Sequence, residues 1–149
     1  DQIIGLHDLT VHNYGAGQCF ASVHCEVSAA QDIMVSHDLI DNIEQNFLKE
    51  HNIHMVIHLD PVVVDDPRTN ELKAQVAAII SRIDPRLSMH DFRVVWGLTH
   101  SNLIFDVVVP FDFQWSDEEL IRLITDRIHM INASYNPVIA IDHSYVPGV

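Results

Sequence analysis

Eleven histidines in a chain of 149 residues are a rich supply of imidazole, and seven of them (His7, His12, His24, His37, His51, His54 and His58) fall within the first 60 residues. In the same stretch Lys49 is the single basic residue against nine Asp and Glu, which gives a net charge of −8 out of −13 for the whole chain. Neutral imidazole is the commonest protein ligand for transition metals. An acidic field attracts cations and repels phosphate backbones and anionic lipid surfaces. The chemistry to expect is therefore divalent-metal binding, with nucleic acid excluded as a partner.

Spacing narrows the choice of ligands. His58-Leu59-Asp60 closes an apolar strand pattern, so the period of two sends imidazole and carboxylate to the same side. Alone, such a pair more often describes a surface histidine beside a turn aspartate. His24 lies on the polar face of a second strand pattern, His7 at the opening of the first, and His37 on a helix but off its apolar stripe. Four separate elements thus carry His7, His24, His37, His58 and Asp60, and a fold that closes them together would present nitrogen and carboxylate oxygen to Zn²⁺ or to another divalent transition ion. Cys19 and Cys25 match no zinc-knuckle spacing and build no disulfide framework, and are read as reduced thiols. His12, His51, His54, His100 and His129 have no partner at useful spacing and are read as surface or locally satisfied residues. Trp96, Trp115 and Phe111 to Phe113 are read as packing.

The elements that must position these residues follow from hydrophobic periodicity. Apolar residues make up 48% of the chain and charged ones 19%, a balance that excludes disorder. Ile3 to Asn13 reads as a strand, Tyr14-Gly15-Ala16-Gly17 as a turn, and Cys19 to Val27 as an antiparallel return with Ala21, Val23, Cys25 and Val27 on one face. Asp32 to Glu50 carries Leu39, Ile40, Ile43 and Phe47 at helical spacing, and Ile53 to Leu59 is a third strand closed by Asp60-Pro61. Asp66-Pro67 opens a second helix that runs to about Asp84.

The opening pattern then returns. His90-Asp91-Phe92-Arg93-Val94 echoes His7-Asp8-Leu9-Thr10-Val11, Leu103 to Val109 is a strand, Ser116 and Glu119 form a capping-box signature before a helix, and Val138 to Ile141 is the last strand. The near-constant offset implies an internal duplication. The fold class expected is α+β, with two tandem ferredoxin-like units over residues 1–63 and 64–149, helices on one face of a largely antiparallel sheet, and a leading helix in the second unit only. By the same offset His24 aligns with about Val107, His37 with Glu118, and His58 to Asp60 with Asp142-His143-Ser144. Too few ligands would then remain in the second copy, with His90, Asp142 and His143 at most a weak site.

Gly5-Leu6-His7-Asp8-Leu9, the strand with His24, the Ser36-His37 helix and Val56-Ile57-His58-Leu59-Asp60-Pro61 together resemble the cytoplasmic C-terminal domain of cation diffusion facilitator transporters. The resemblance covers residues 3 to 61, with four motifs in the family's order. It implies a soluble ferredoxin-like domain of a dimeric membrane antiporter that exports zinc, or in some members manganese, iron or cobalt. It also implies regulatory metal held by His7, His24, His37, His58 and Asp60, with Asp60 able to bridge two ions. On this reading the chain is a non-enzymatic, cytoplasmic, homodimeric part of an integral membrane protein, its transmembrane domain lying upstream of the abrupt start at Asp1-Gln2. No apolar run here reaches the length of a membrane helix, so the chain itself is expected to be soluble. Two other classes use similar residues. A dinuclear metal hydrolase would need an open coordination position and a general base, and a ferredoxin-like small-molecule sensor would make the histidine excess incidental.

Overall fold

The computed structural model describes residues 2–15 and 17–144. Asp1, Ala16 of the first turn and residues 145–149, over which the second domain was expected to extend, lie outside the described residues. The chain divides into two compact units, Asp1–Val64 and Asp65–Val149.

Unit 1 runs β1 (Ile3–Asn13), β2 (Cys19–Ser28), α1 (Ile33–His51) and β3 (Ile53–Val62). Gly15 and Gly17 take φ of 111° and 80° in the β1–β2 turn, a region closed to most side chains. Asp32 caps α1 by accepting from the Met34 and Val35 amides at 2.8 and 3.3 Å. The strand order is β1-β2-β3, with β2 antiparallel to β1 and parallel to β3. The sheet is thus mixed, where a largely antiparallel one was expected. α1 is a crossover that returns the chain in its original direction, and a crossover produces a parallel neighbour. Asp60 and Pro61 do not close β3 but lie inside it, paired with Glu26 and Val27. β3 is an edge strand, so the amide that Pro61 lacks is needed by no neighbour.

Ala21, Val23, Cys25 and Val27 are buried on one face of β2. Ile43 and Phe47 of α1 border this face, and between them and β1 lies an apolar groove also lined by Ile3, Leu6, Leu9 and Val11.

Unit 2 runs α2 (Pro67–Ile83), β4 (Ser88–Val95), β5 (Ser101–Pro110), α3 (Asp117–Ile131) and β6 (Tyr135–Ser144). Its sheet, β4-β5-β6, repeats the antiparallel and parallel pairings of unit 1, so both units are α+β with the strand-strand-helix-strand order of a ferredoxin-like half. The expected capping box is present, with Ser116 Oγ accepting from Glu119 N–H and Glu119 Oε2 from Ser116 N–H. α2 packs on β4 and α3, the place left as a groove in unit 1. The result is a closed core in which Val76, Ile80, Leu103, Phe105, Val107, Ile124 and Ile128 are all 0% exposed. Each such side chain contributes about 1.5–3 kcal/mol by leaving water. Trp96 and Phe113 pack against this core as expected. Phe111 and Trp115 do not join it, being 77% and 45% exposed, because they sit on the turn after β5 and not in an element.

One irregularity is shared by both units. The β1–β2 register slips between His7 and Thr10, and the β4–β5 register slips between His90 and Arg93. Asp8 and Asp91 sit in these bulges at φ of 53° and 51°. A bulge re-aims the side chains beside it, and here it fixes how the copies correspond. His7 faces His24, which faces His58, whereas His90 faces Asp106, which faces Ala140. The equivalent of His24 is therefore Asp106 and not Val107, which belongs to the buried face. His58 and Asp60 correspond to Ala140 and Asp142, two residues before the expected alignment. Counted from the caps Asp32 and Ser116, His37 corresponds to Ile121 and not to Glu118.

Asp66 caps α2 and holds Arg68, with its carboxylate oxygens 3.0 Å from the Arg68 amide and 3.1 Å from the guanidinium. These contacts, led by the side-chain hydrogen bond from Arg68, lower its pKa below the usual 3.8. A depressed carboxylate adds stability that is complete above its unfolded pKa and is lost as pH falls through the folded one. Acid titration should therefore destabilise unit 2 below about pH 4, and Asp66→Asn should flatten that dependence when thermal unfolding is followed against pH.

Candidate metal centre

The bulge at Asp8 turns His7 towards β2, and the alternation of β2 and β3 places His24, His58, Glu26 and Asp60 on the sheet face opposite α1. Two of these imidazoles meet one carboxylate. His7 Nε2 lies 2.9 Å and His24 Nδ1 3.0 Å from the same oxygen, Asp60 Oδ2. An ionised carboxylate only accepts, so both ring nitrogens donate to it. The His7 side chain is 8% exposed, Asp60 12% and His24 33%, which leaves an approach from the His24 side. The His7 and His24 rings stack with centroids 4.9 Å apart, and the His58 ring stacks on His24 at 5.0 Å.

The ligand atoms of His7, His24 and Asp60 all lie within 4.8 Å of one another, and this is the single such group of metal-binding side chains found among the described residues. Two ligands on one tetrahedral zinc with bonds of about 2.0–2.1 Å stand about 3.3 Å apart. The nitrogen–oxygen separations of 2.9 and 3.0 Å need to open by only a few tenths of an ångström to accept an ion. For the nitrogen facing Asp60 to ligate an ion, each imidazole must carry its proton on the other ring nitrogen instead.

Of the five residues singled out from the sequence, His7, His24 and Asp60 are brought together, His58 stands beside them through its stack on His24, and His37 is exposed on α1 outside the group. Two neighbours had not been singled out. Asp8 Oδ2 is 3.4 Å from His7 Nδ1, long for a hydrogen bond but placed where a carboxylate steadies a ligating imidazole. Its adjacency to His7 was visible, yet only the bulge turns it towards the ring. Glu26 is fully buried beside Asp60, and its carboxylate lies against Gly5, where an added Cβ would meet Oε2 at 3.1 Å. Gly5 makes room for that acid.

The profile of the cation efflux protein cytoplasmic domain matches residues 1–62. Residues 1–62 belong to this family. The cation efflux domain therefore coincides with unit 1, and the family is a component of a transporter of cations. No curated protein and no solved structure matches the chain. No helix among the described residues is long and apolar enough to cross a membrane.

Both cysteines of the cation efflux domain are free. Cys25 is 1% exposed, and burial first, then the charges of Glu26 and Asp60, push its thiol pKa up. Cys19 is half-buried. A thiol reagent at neutral pH should therefore label Cys19 and spare Cys25 until the domain is unfolded, as counted by intact mass. Equal labelling of both in the folded protein would contradict the packing.

Proposed function

We propose that unit 1 is the metal-sensing part of a divalent-cation efflux transporter, with zinc as its ion, and that it stabilises a dimer of the transporter. The observation that carries this reading is the convergence of His7 Nε2 and His24 Nδ1 on Asp60 within a domain of the cation efflux family. Two imidazoles and a carboxylate are a donor set suited to Zn²⁺, with Mn²⁺, Fe²⁺ and Co²⁺ as weaker competitors. His58 completes the set by a rotation from its stack on His24. His37, exposed on α1 outside this group, is kept as a ligand by the family resemblance alone. The family's short name refers to a dimer, which supports the two-fold reading. The name of the matched family supports a position for unit 1 on the cytoplasmic side of the membrane.

Such a domain acts by linkage. Zinc that binds one arrangement of the dimer more tightly shifts the equilibrium by that difference and no more. Light scattering across a zinc titration should show a dimer whose dissociation constant falls with zinc. A species that stays monomeric at every zinc concentration would overturn the dimer part of this reading. A calorimetric titration of the same sample that shows no zinc uptake would overturn the sensing part.

A further inference from the structure

We infer that unit 2 carries a second divalent-cation site, built from His90, Asp106 and Asp142, with donors harder than those of unit 1. In the strand register these residues hold the positions of His7, His24 and Asp60. His90 faces Asp106, and Asp142 lies two residues beyond Ala140, the residue opposite Asp106. The same three positions in unit 1 give contacts of 2.9 and 3.0 Å. Residues directly opposite in a sheet have Cβ atoms about 4.5–5.5 Å apart and diagonal ones about 7–8 Å, which is within reach of imidazole and carboxylate side chains.

A second observation supports the placement independently of residue type. Asp91 repeats the left-handed bulge of Asp8 at φ 51°, and a non-glycine residue rarely adopts that conformation. Keeping it in unit 2 keeps the backbone of β4 at His90 in the register that β1 has at His7. The ligand atoms are not gathered as they are in unit 1, because His90 Nε2 shares a hydrogen with Ser88 Oγ at 3.1 Å. Ser88 occupies the position of Gly5, opposite Val108 where unit 1 has Glu26. An ion must therefore displace an exposed hydrogen bond and gather the carboxylates, and the site is weaker than that of unit 1.

One imidazole and two carboxylates suit Mn²⁺ better, relative to Zn²⁺, than two imidazoles and one carboxylate do. The chain would then hold two sites of different hardness. This inference borrows its geometry from the unit 1 reading but does not need that site to be occupied.

The test is a nuclear magnetic resonance titration of the isotope-labelled full chain, with Mn²⁺ alone and Zn²⁺ alone as probes. Mn²⁺ should broaden the amides around His90, Asp106 and Asp142 as well as those around His7, His24 and Asp60. The pair Asp106→Asn and Asp142→Asn should abolish broadening in unit 2 only, and Asp60→Asn in unit 1 only. The ratio of zinc to manganese affinity should be at least about tenfold lower in unit 2. If unit 1 responds and unit 2 does not, or if the paired substitution leaves unit 2 broadening unchanged, the second site is overturned and the unit 1 reading stands. If unit 2 responds and unit 1 does not, the second site stands and the unit 1 reading falls. Silence in both units overturns both.

Discussion

Asp60→Ala is expected to abolish tight zinc binding to unit 1, whereas His51→Ala leaves it unchanged. Asp60 Oδ2 is the atom on which His7 and His24 converge at 2.9 and 3.0 Å, so removing it takes away a ligand and the group that orients two others. Loss of a supporting residue alone costs about 10–100-fold in metal affinity, and the loss here should exceed that range. His7→Ala and His24→Ala should fall in the same class. His51 lies at the end of α1 with its ring 5.8 Å from that of Phe47, away from the cluster. The decisive measurement is calorimetric zinc affinity at constant pH, with circular dichroism to confirm that each variant is folded. An affinity for Asp60→Ala within a few-fold of the parent chain would refute the site.

The second large effect is a contrast between adjacent residues of β5. Val107→His should unfold unit 2 or lower its melting temperature by about 10 °C or more, while Asp106→His should be tolerated. Val107 is 0% exposed within the core that α2 and α3 cover. An imidazole there buries a polar group at a cost of about 1–3 kcal/mol and overpacks the core for about 1–3 kcal/mol more. A domain's whole stability is about 5–15 kcal/mol. Asp106 is half-buried on the opposite face, beside His90, where His24 stands in unit 1. Equal melting temperatures for the two variants would mean that the register is misassigned.

That contrast also locates the limit of reading by sequence offset. The echo of His7-Asp8 in His90-Asp91 and the recurring helix patterns show a duplication, but a constant offset assumes that both copies have loops of equal length. The offset is 83 at His7 and His90, and the register makes it 82 at His24 and Asp106. In a strand an error of one residue moves a side chain to the other face. Such an error exchanges Asp106 for Val107 and so puts a core valine where the polar face of β5 carries a carboxylate.

What the sequence determined by itself are the features carried by periodicity and local chemistry. They are the helices, with the caps of the second and third at Asp66 and Ser116, the strand order along the chain, the buried face of β2, the acidic histidine-rich first 60 residues and their family likeness. Each depends on residues within a turn or two of one another, where 3.6-residue and two-residue repeats are directly legible. What only the tertiary structure decided is which side chains meet. His7, His24 and Asp60 are brought together from three strands by one bulge and one parallel pairing, while His37, though well placed along the chain, lies outside the group. The physical reason is that a ligand set is defined to within an ångström, and the register and bulges that set those distances come from pairing between segments far apart in sequence, which no local pattern encodes.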